Sequence, residues 1–201
     1  MVGPAAPKKK KKLMLAIAGL VSLLVVAAVV LVLVFVVFAS DTGKAKDLVK
    51  KSDAYMTKVN PKGDELGTSV DSLMSNIASV TSASDYEATA DRIREQTSSI
   101  KSDLNLANQG YKQILDLNGV DKYKVYARAV MALIDADLQQ VKEVDDYLDF
   151  LSSQFTAAEA GQTVSEQEVA TTTAAFIAKL KELTPKISEL KDKAESLRKE
   201  L

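Results

Sequence analysis

The run Asp145-Asp146-Tyr147-Leu148-Asp149 is the nearest thing in this chain to a catalytic pattern. On a helix, two adjacent carboxylates and a third one turn on can share a magnesium ion and, through it, a diphosphate, because magnesium takes oxygen ligands. No second acidic element of this form answers it, and a short acidic run on a helix is ordinarily a solvated face. We therefore expect no metal site, no cofactor and no enzymatic activity. Asp137 poses a second question, since it falls on the apolar spacing of its helix. A buried carboxylate there would fix register or bind a ligand. The plainer expectation is that the helix drifts by about 20° per seven residues and Leu138 takes the core position. Tyr111, Tyr123, Tyr126 and Arg128 lie near Gly119 and form the candidate ligand-binding set. Aromatic walls with one guanidinium suit a small anionic or aromatic ligand. The alternative is that the tyrosines pack one end of a bundle with their hydroxyls in water.

Missing residue types narrow the chemistry further. The chain has no histidine, which removes the commonest general base and transition-metal ligand, and rules out bundles whose iron is held by Glu-x-x-His pairs. It has no cysteine, which removes disulfides, thiolate metal sites and thiol catalysis. Neither a Gly-rich phosphate loop nor a nucleophile elbow is found. The net charge of −1 conceals an asymmetry: residues 1–40 hold five lysines and no acid, and the other 161 hold 21 basic and 27 acidic side chains. A domain with that balance offers no basic surface for nucleic acid.

The elements that must position these residues read as helices almost throughout. Beyond residue 40, apolar residues recur at intervals of three and four, and nothing alternates with period two, so the fold class is all-α with no sheet. A first segment, about 44–59, carries Ala45, Leu48, Ser52, Tyr55 and Val59 on one stripe. Asn60-Pro61-Lys62-Gly63 is expected to break or kink it, because proline lacks the amide donor. A second segment follows with Leu66, Val70, Leu73, Ile77 and Val80. The next helix opens at a capping box, Ser84 with Glu87. Its seam is Tyr86, Ala90, Ile93, Thr97, Ile100, Leu104, Ala107, Tyr111 and Ile114, which is heptad spacing. Asn118-Gly119 supplies a left-handed cap. Another helix begins near Val120 with Tyr123, Ala127, Val130, Ile134, Asp137, Val141, Val144, Leu148, Leu151 and Phe155 in line. After Gly161 comes a second capping pattern, Thr163-Val164-Ser165-Glu166. The last helix carries Thr173, Phe176, Leu180, Leu183, Ile187, Leu190, Ala194, Leu197 and Leu201, and it should bend at Pro185 and continue, since the apolar phase does not shift there. Rods of matched length joined by short turns imply an antiparallel four-helix bundle. The alternative is a coiled-coil-like assembly of two or three long helices that dimerises through the same seams.

At the other end of the chain, residues 13–39 contain no charge and follow the five lysines 8–12. So long an apolar run is expected to be a transmembrane helix. The tight lysine cluster places residues 1–12, a basic tail, in the cytoplasm. The rival reading is a signal peptide cut after Ala39, but signal cores are about 7–15 residues, so an uncleaved signal anchor is expected. The domain order is then tail 1–12, anchor 13–39, juxtamembrane helix and break 40–63, and extracytoplasmic bundle 64–201. In helix length and layout the whole resembles the extracytoplasmic four-helix sensor domains of chemoreceptors. The expected function is a single-pass protein of the cytoplasmic membrane that displays a helical interaction or scaffold module. Its partners would be membrane lipid through 13–39 and another protein or a second copy of itself. The alternative is a small-ligand-binding, sensor-like accessory bundle acting through a membrane partner.

Overall fold

The computed structural model describes residues 41–201; the tail of residues 1–12 and the anchor of residues 13–39 lie outside the described residues. Four long helices pack against one another, 89% of the described residues are helical, and none is in a strand. Helix α1 is Asp41–Asn76, α2 is Ala83–Leu115, α3 is Asp121–Glu159 and α4 is Glu166–Arg198, with a single 3₁₀ turn, Ile77–Ser79, after α1. No described helix is long and apolar enough to cross a membrane.

The seam of α1 is a heptad that runs through its proline. Ala45, Val49, Ser52, Met56, Val59, Gly63, Leu66, Val70 and Leu73 are all buried, in unbroken steps of four and three. Leu48 and Tyr55, expected on this stripe, are half-buried beside it, one residue out of phase. The interruption expected at Asn60–Gly63 does not end the helix. Pro61 sits on the exposed face, while Val59 and Gly63 on either side are buried, so tertiary packing holds the helix across the lost hydrogen bond. Residues 41–63 therefore share one core with the rest of the bundle.

In α2 all nine expected seam residues are buried, joined by Asp103. Its N-cap is Ser82 rather than Ser84: the Ser82 hydroxyl accepts from the Asp85 amide at 3.1 Å and donates to the Asp85 carboxylate at 2.7 Å. The cap of α4 is likewise shifted by two residues, to Ser165, which accepts from the Glu168 amide at 3.2 Å. Two hydroxyls with acids three positions on compete at each start, Ser82 with Ser84 and Thr163 with Ser165. Gly119 has the left-handed φ of 70° expected of it. Gly161, φ 71°, closes α3 in a Schellman motif: its amide donates to the Ala158 carbonyl at 3.0 Å, and the Gln162 amide reaches Ala157 at 2.9 Å.

Helix α3 is the centre of the assembly because it carries two seams. The expected one is buried from Ala127 to Leu151, and a second, through Tyr126, Ala129, Leu133, Ala136, Gln140 and Tyr147, is buried as well. One face meets α2 and the other meets α4, and α1 also touches α3. By contrast α4 buries only Phe176, Leu180, Leu183, Ile187 and Ala194, and it continues through Pro185 as expected. Helices α1 and α4 nowhere bring their Cα atoms within 8 Å, so the bundle is closed on three sides and bridged by side chains on the fourth.

Aromatic rings fill the end opposite Asp41. Tyr86 stacks on Phe155 with centroids 4.8 Å apart and donates its buried hydroxyl to the Leu148 carbonyl at 2.6 Å. Tyr147 stacks on Phe176 at 4.3 Å and its hydroxyl meets Thr173 at 3.0 Å. Each ring buries a large apolar area while its hydroxyl keeps a partner.

Candidate functional site

Antiparallel packing sets residue 53 of α1 opposite residue 111 of α2, and each later helix brings one more group to the same level. The result is a cluster with one member from each helix. The Asp53 carboxylate accepts the Tyr111 hydroxyl at 2.5 Å and the Tyr126 hydroxyl at 2.9 Å, both at Oδ1. Arg198 of α4 pairs with Oδ2, and its guanidinium lies 5.4 Å from the centre of the Tyr126 ring. The two tyrosines meet edge to face at 6.0 Å. Burial pushes the Asp53 carboxyl above the usual carboxylate range, against the downward pull of Tyr111, Arg198 and Tyr126. Burial also raises both tyrosine hydroxyls well above their ordinary value, with the neighbouring Asp53 charge adding to it. They stay protonated and act as donors. A carboxylate holding two hydroxyls and one guanidinium has its hydrogen-bonding capacity largely filled, so the arrangement works as a tertiary clasp.

Of the four residues expected to form a ligand site, the structure brings together Tyr111 and Tyr126. Tyr123 is half-buried against the core, and Arg128 is exposed on another face of α3. The reason is helical geometry: two residues on from Tyr126 is about 200° of rotation, which carries Arg128 away from the ring it was expected to accompany. The cation and anion that do complete the cluster, Arg198 and Asp53, are distant in sequence and carry no motif. A signal existed for Asp53, which sits beside buried Ser52 on a second α1 line that recurs every seven residues through Asn60, Gly67 and Met74.

Asp137 contradicts the expectation of phase drift. It is 0% exposed, and Leu138 is the half-buried one. Gln140, one turn on, is also 0% exposed, and among the described residues neither side chain has a hydrogen-bond partner. Burial pushes the Asp137 carboxyl up to about 8, and Lys191 of α4 pulls the other way. The two-seam character of α3 explains the placement, because both flanks of position 137 are covered.

The acidic run does not converge. Asp145 accepts from the Thr97 hydroxyl at 2.7 Å and pairs with Lys101, Asp146 pairs with Lys142 on its own helix, and Asp149 pairs with Arg94 at 3.1 Å. Arg94 also binds Glu87 at 2.9 Å and Asp91 at 3.0 Å. The Ser152 hydroxyl and the Arg94 hydrogen bond hold the Glu87 carboxyl below its ordinary range. Three carboxylates that sequence spacing sets side by side are thus tied to three different cations. Among the described residues no group of three or more Asp or Glu is placed to hold a metal ion. A shallow open groove lined by Lys44, Asp47, Leu48, Lys51, Gln113 and Leu117 lies near the start of α1.

No protein-family model, no curated protein and no solved structure matches this chain.

Proposed function

We propose that this is a single-pass membrane-anchored protein that displays a four-helix bundle outside the cytoplasmic membrane as an interaction or scaffold module. The observation that carries the reading is the uncharged run 13–39 behind five lysines, a length and flank suited to an uncleaved signal anchor. The character of the bundle supports it. Its carboxylates at Asp53, Asp103, Asp145 and Asp149 each bind a cation on another helix, so the groups best able to do chemistry serve to join helices. The partner is a protein of the same membrane or a second copy of this chain, and no catalytic step is assigned.

The chain has no cysteine, so one introduced thiol reports without background. Gln162→Cys in intact cells should react with a membrane-impermeant maleimide, and Ala5→Cys only after lysis. The reverse pattern, or a mature chain that begins near Ser40 and stays in the soluble fraction, overturns the proposal. A second reading, a small-ligand bundle acting through a membrane partner, draws on the buried Asp137 and Gln140. A thermal-shift screen decides for it if a ligand raises the melting point of wild type and not of Asp137→Asn.

A further inference from the structure

The fold sorts charge along its long axis in a way the chain order conceals. Antiparallel packing gathers residues 41–58, 104–135 and 186–201 at one end, and these hold fourteen Lys or Arg and ten Asp or Glu. The opposite end is built from 63–101 and 143–180, which hold fourteen Asp or Glu and only four Lys or Arg, at Arg92, Arg94, Lys101 and Lys179. Of these cations Arg94, Lys101 and Lys179 are taken up in ion pairs, and Lys142 at the margin pairs with Asp146. At the basic end two of the acids are neutralised within the fold: Asp53 by Arg198, and Asp41 by Lys44 at 3.6 Å and the Asn118 amide at 2.9 Å. Lys44, Lys122 and Lys199 are exposed at its tip, and Lys50, Lys51, Lys112 and Lys193 are exposed about two turns or more further along. Residues 1–40 join the described structure at Asp41, which belongs to this same end.

We infer that the basic end of the bundle is a docking surface for anionic phospholipid headgroups, and that the acidic end is repelled by them, so that the rod stands upright on a negatively charged membrane. This rests on the anchoring proposed above, which brings that end to the lipid surface. Two independent features choose lipid as the occupant. The chain outside the structure leads into a long apolar run at this end, and the charge is of the sign that an anionic surface attracts. Each lysine near such a surface strengthens binding about fivefold, and the attraction falls off over roughly 8 Å at physiological salt. Repulsion at the far end turns a tether into an orientation, because a rod lying flat would bring a net negative surface to the headgroups.

The test uses the full chain with a single fluorophore at Ser196→Cys, in the basic end, or Gln162→Cys, at the acidic end. Energy transfer to an acceptor lipid is measured in phosphatidylcholine vesicles with and without phosphatidylglycerol. Anionic lipid should raise transfer from position 196 and lower it from 162. High salt should erase the difference, and so should Lys44→Glu with Lys122→Glu and Lys199→Glu, because each lysine at such a surface is worth about fivefold in binding. Equal transfer in both lipids by a chain that is membrane-bound in both overturns the inference and leaves the anchor standing. Binding only to anionic vesicles, released by salt, upholds the docking surface and overturns the anchor. Binding to neither vesicle overturns both.

Discussion

Asp53 is half-buried and Asp137 fully buried, and their energetics differ because one has partners and the other does not. Around Asp53 three donors compensate most of the desolvation. Removing one of them leaves a charge that the fold still covers. Arg198→Met should therefore destabilise the bundle by about 1–3 kcal/mol, below the range for a fully buried pair because both side chains keep some contact with water. Urea unfolding of Arg198→Met, Asp53→Asn and the double variant checks this: the double should cost much less than the sum of the singles. Asp137 is covered and unpaired. Its carboxyl, raised to about 8 by burial, stays protonated in the fold over a range where the unfolded chain has released its proton. Stability should then fall as pH rises from about 4 to about 8, by up to about 1.4 kcal/mol per unit from this group alone. Asp137→Asn removes that term. It should be the more stable protein near pH 8 and close to wild type near pH 4.5. Urea midpoints of the two proteins across that interval decide it, and the difference cancels other carboxylates such as Asp71, which burial also raises.

At the scale of the element, heptad spacing was a reliable guide where it was unbroken and a poor one where it had rivals. All nine seam residues of α2 are buried, since Tyr86 to Ile114 offers one continuous phase. In α1 the phase through Leu48 and Tyr55 competes with the phase through Val49 and Met56, and residues alone do not say which faces α2. The choice went to the phase that passes through Gly63 and keeps Pro61 outside. That placement makes Pro61→Ala informative. The substitution restores a missing hydrogen bond on an exposed face of a continuous helix and should stabilise the protein by about 2 kcal/mol. This is the interior cost of proline, about 3 kcal/mol, less the entropy that proline removes from the unfolded chain. Thermal unfolding reads it out, and a lower melting temperature would show that α1 needs a kink there. The caps taught a related lesson: Ser82 and Ser165 lie two residues from the expected positions, because each stretch holds two hydroxyls with acids three positions on.

For the molecule as a whole, the order of packing sets the order of stability. Helix α3 carries two buried seams, whereas α4 packs chiefly on α3 and its backbone stays away from α1. Segments with few buried contacts open at lower free energy. Amide exchange should therefore be fastest in α4, slower in α1 and slowest in the middle of α2 and α3. Uniform protection across the four helices would mean that the open α1–α4 side is sealed more tightly than its spacing allows.

The linear order of residues was enough to specify an all-helical chain, the rough extent of its last three rods, the inward face of α2 and the left-handed turn at Gly119. Each of these depends on interactions within about one or two turns of helix, and periodicity records them. Which distant side chains meet was decided by tertiary packing alone. Asp53 and Arg198 are joined, Arg128 is turned away, Asp137 is enclosed, and three neighbouring carboxylates are sent to three separate cations. Those outcomes depend on the relative register and rotation of antiparallel rods, and these are settled by how the core as a whole fills space.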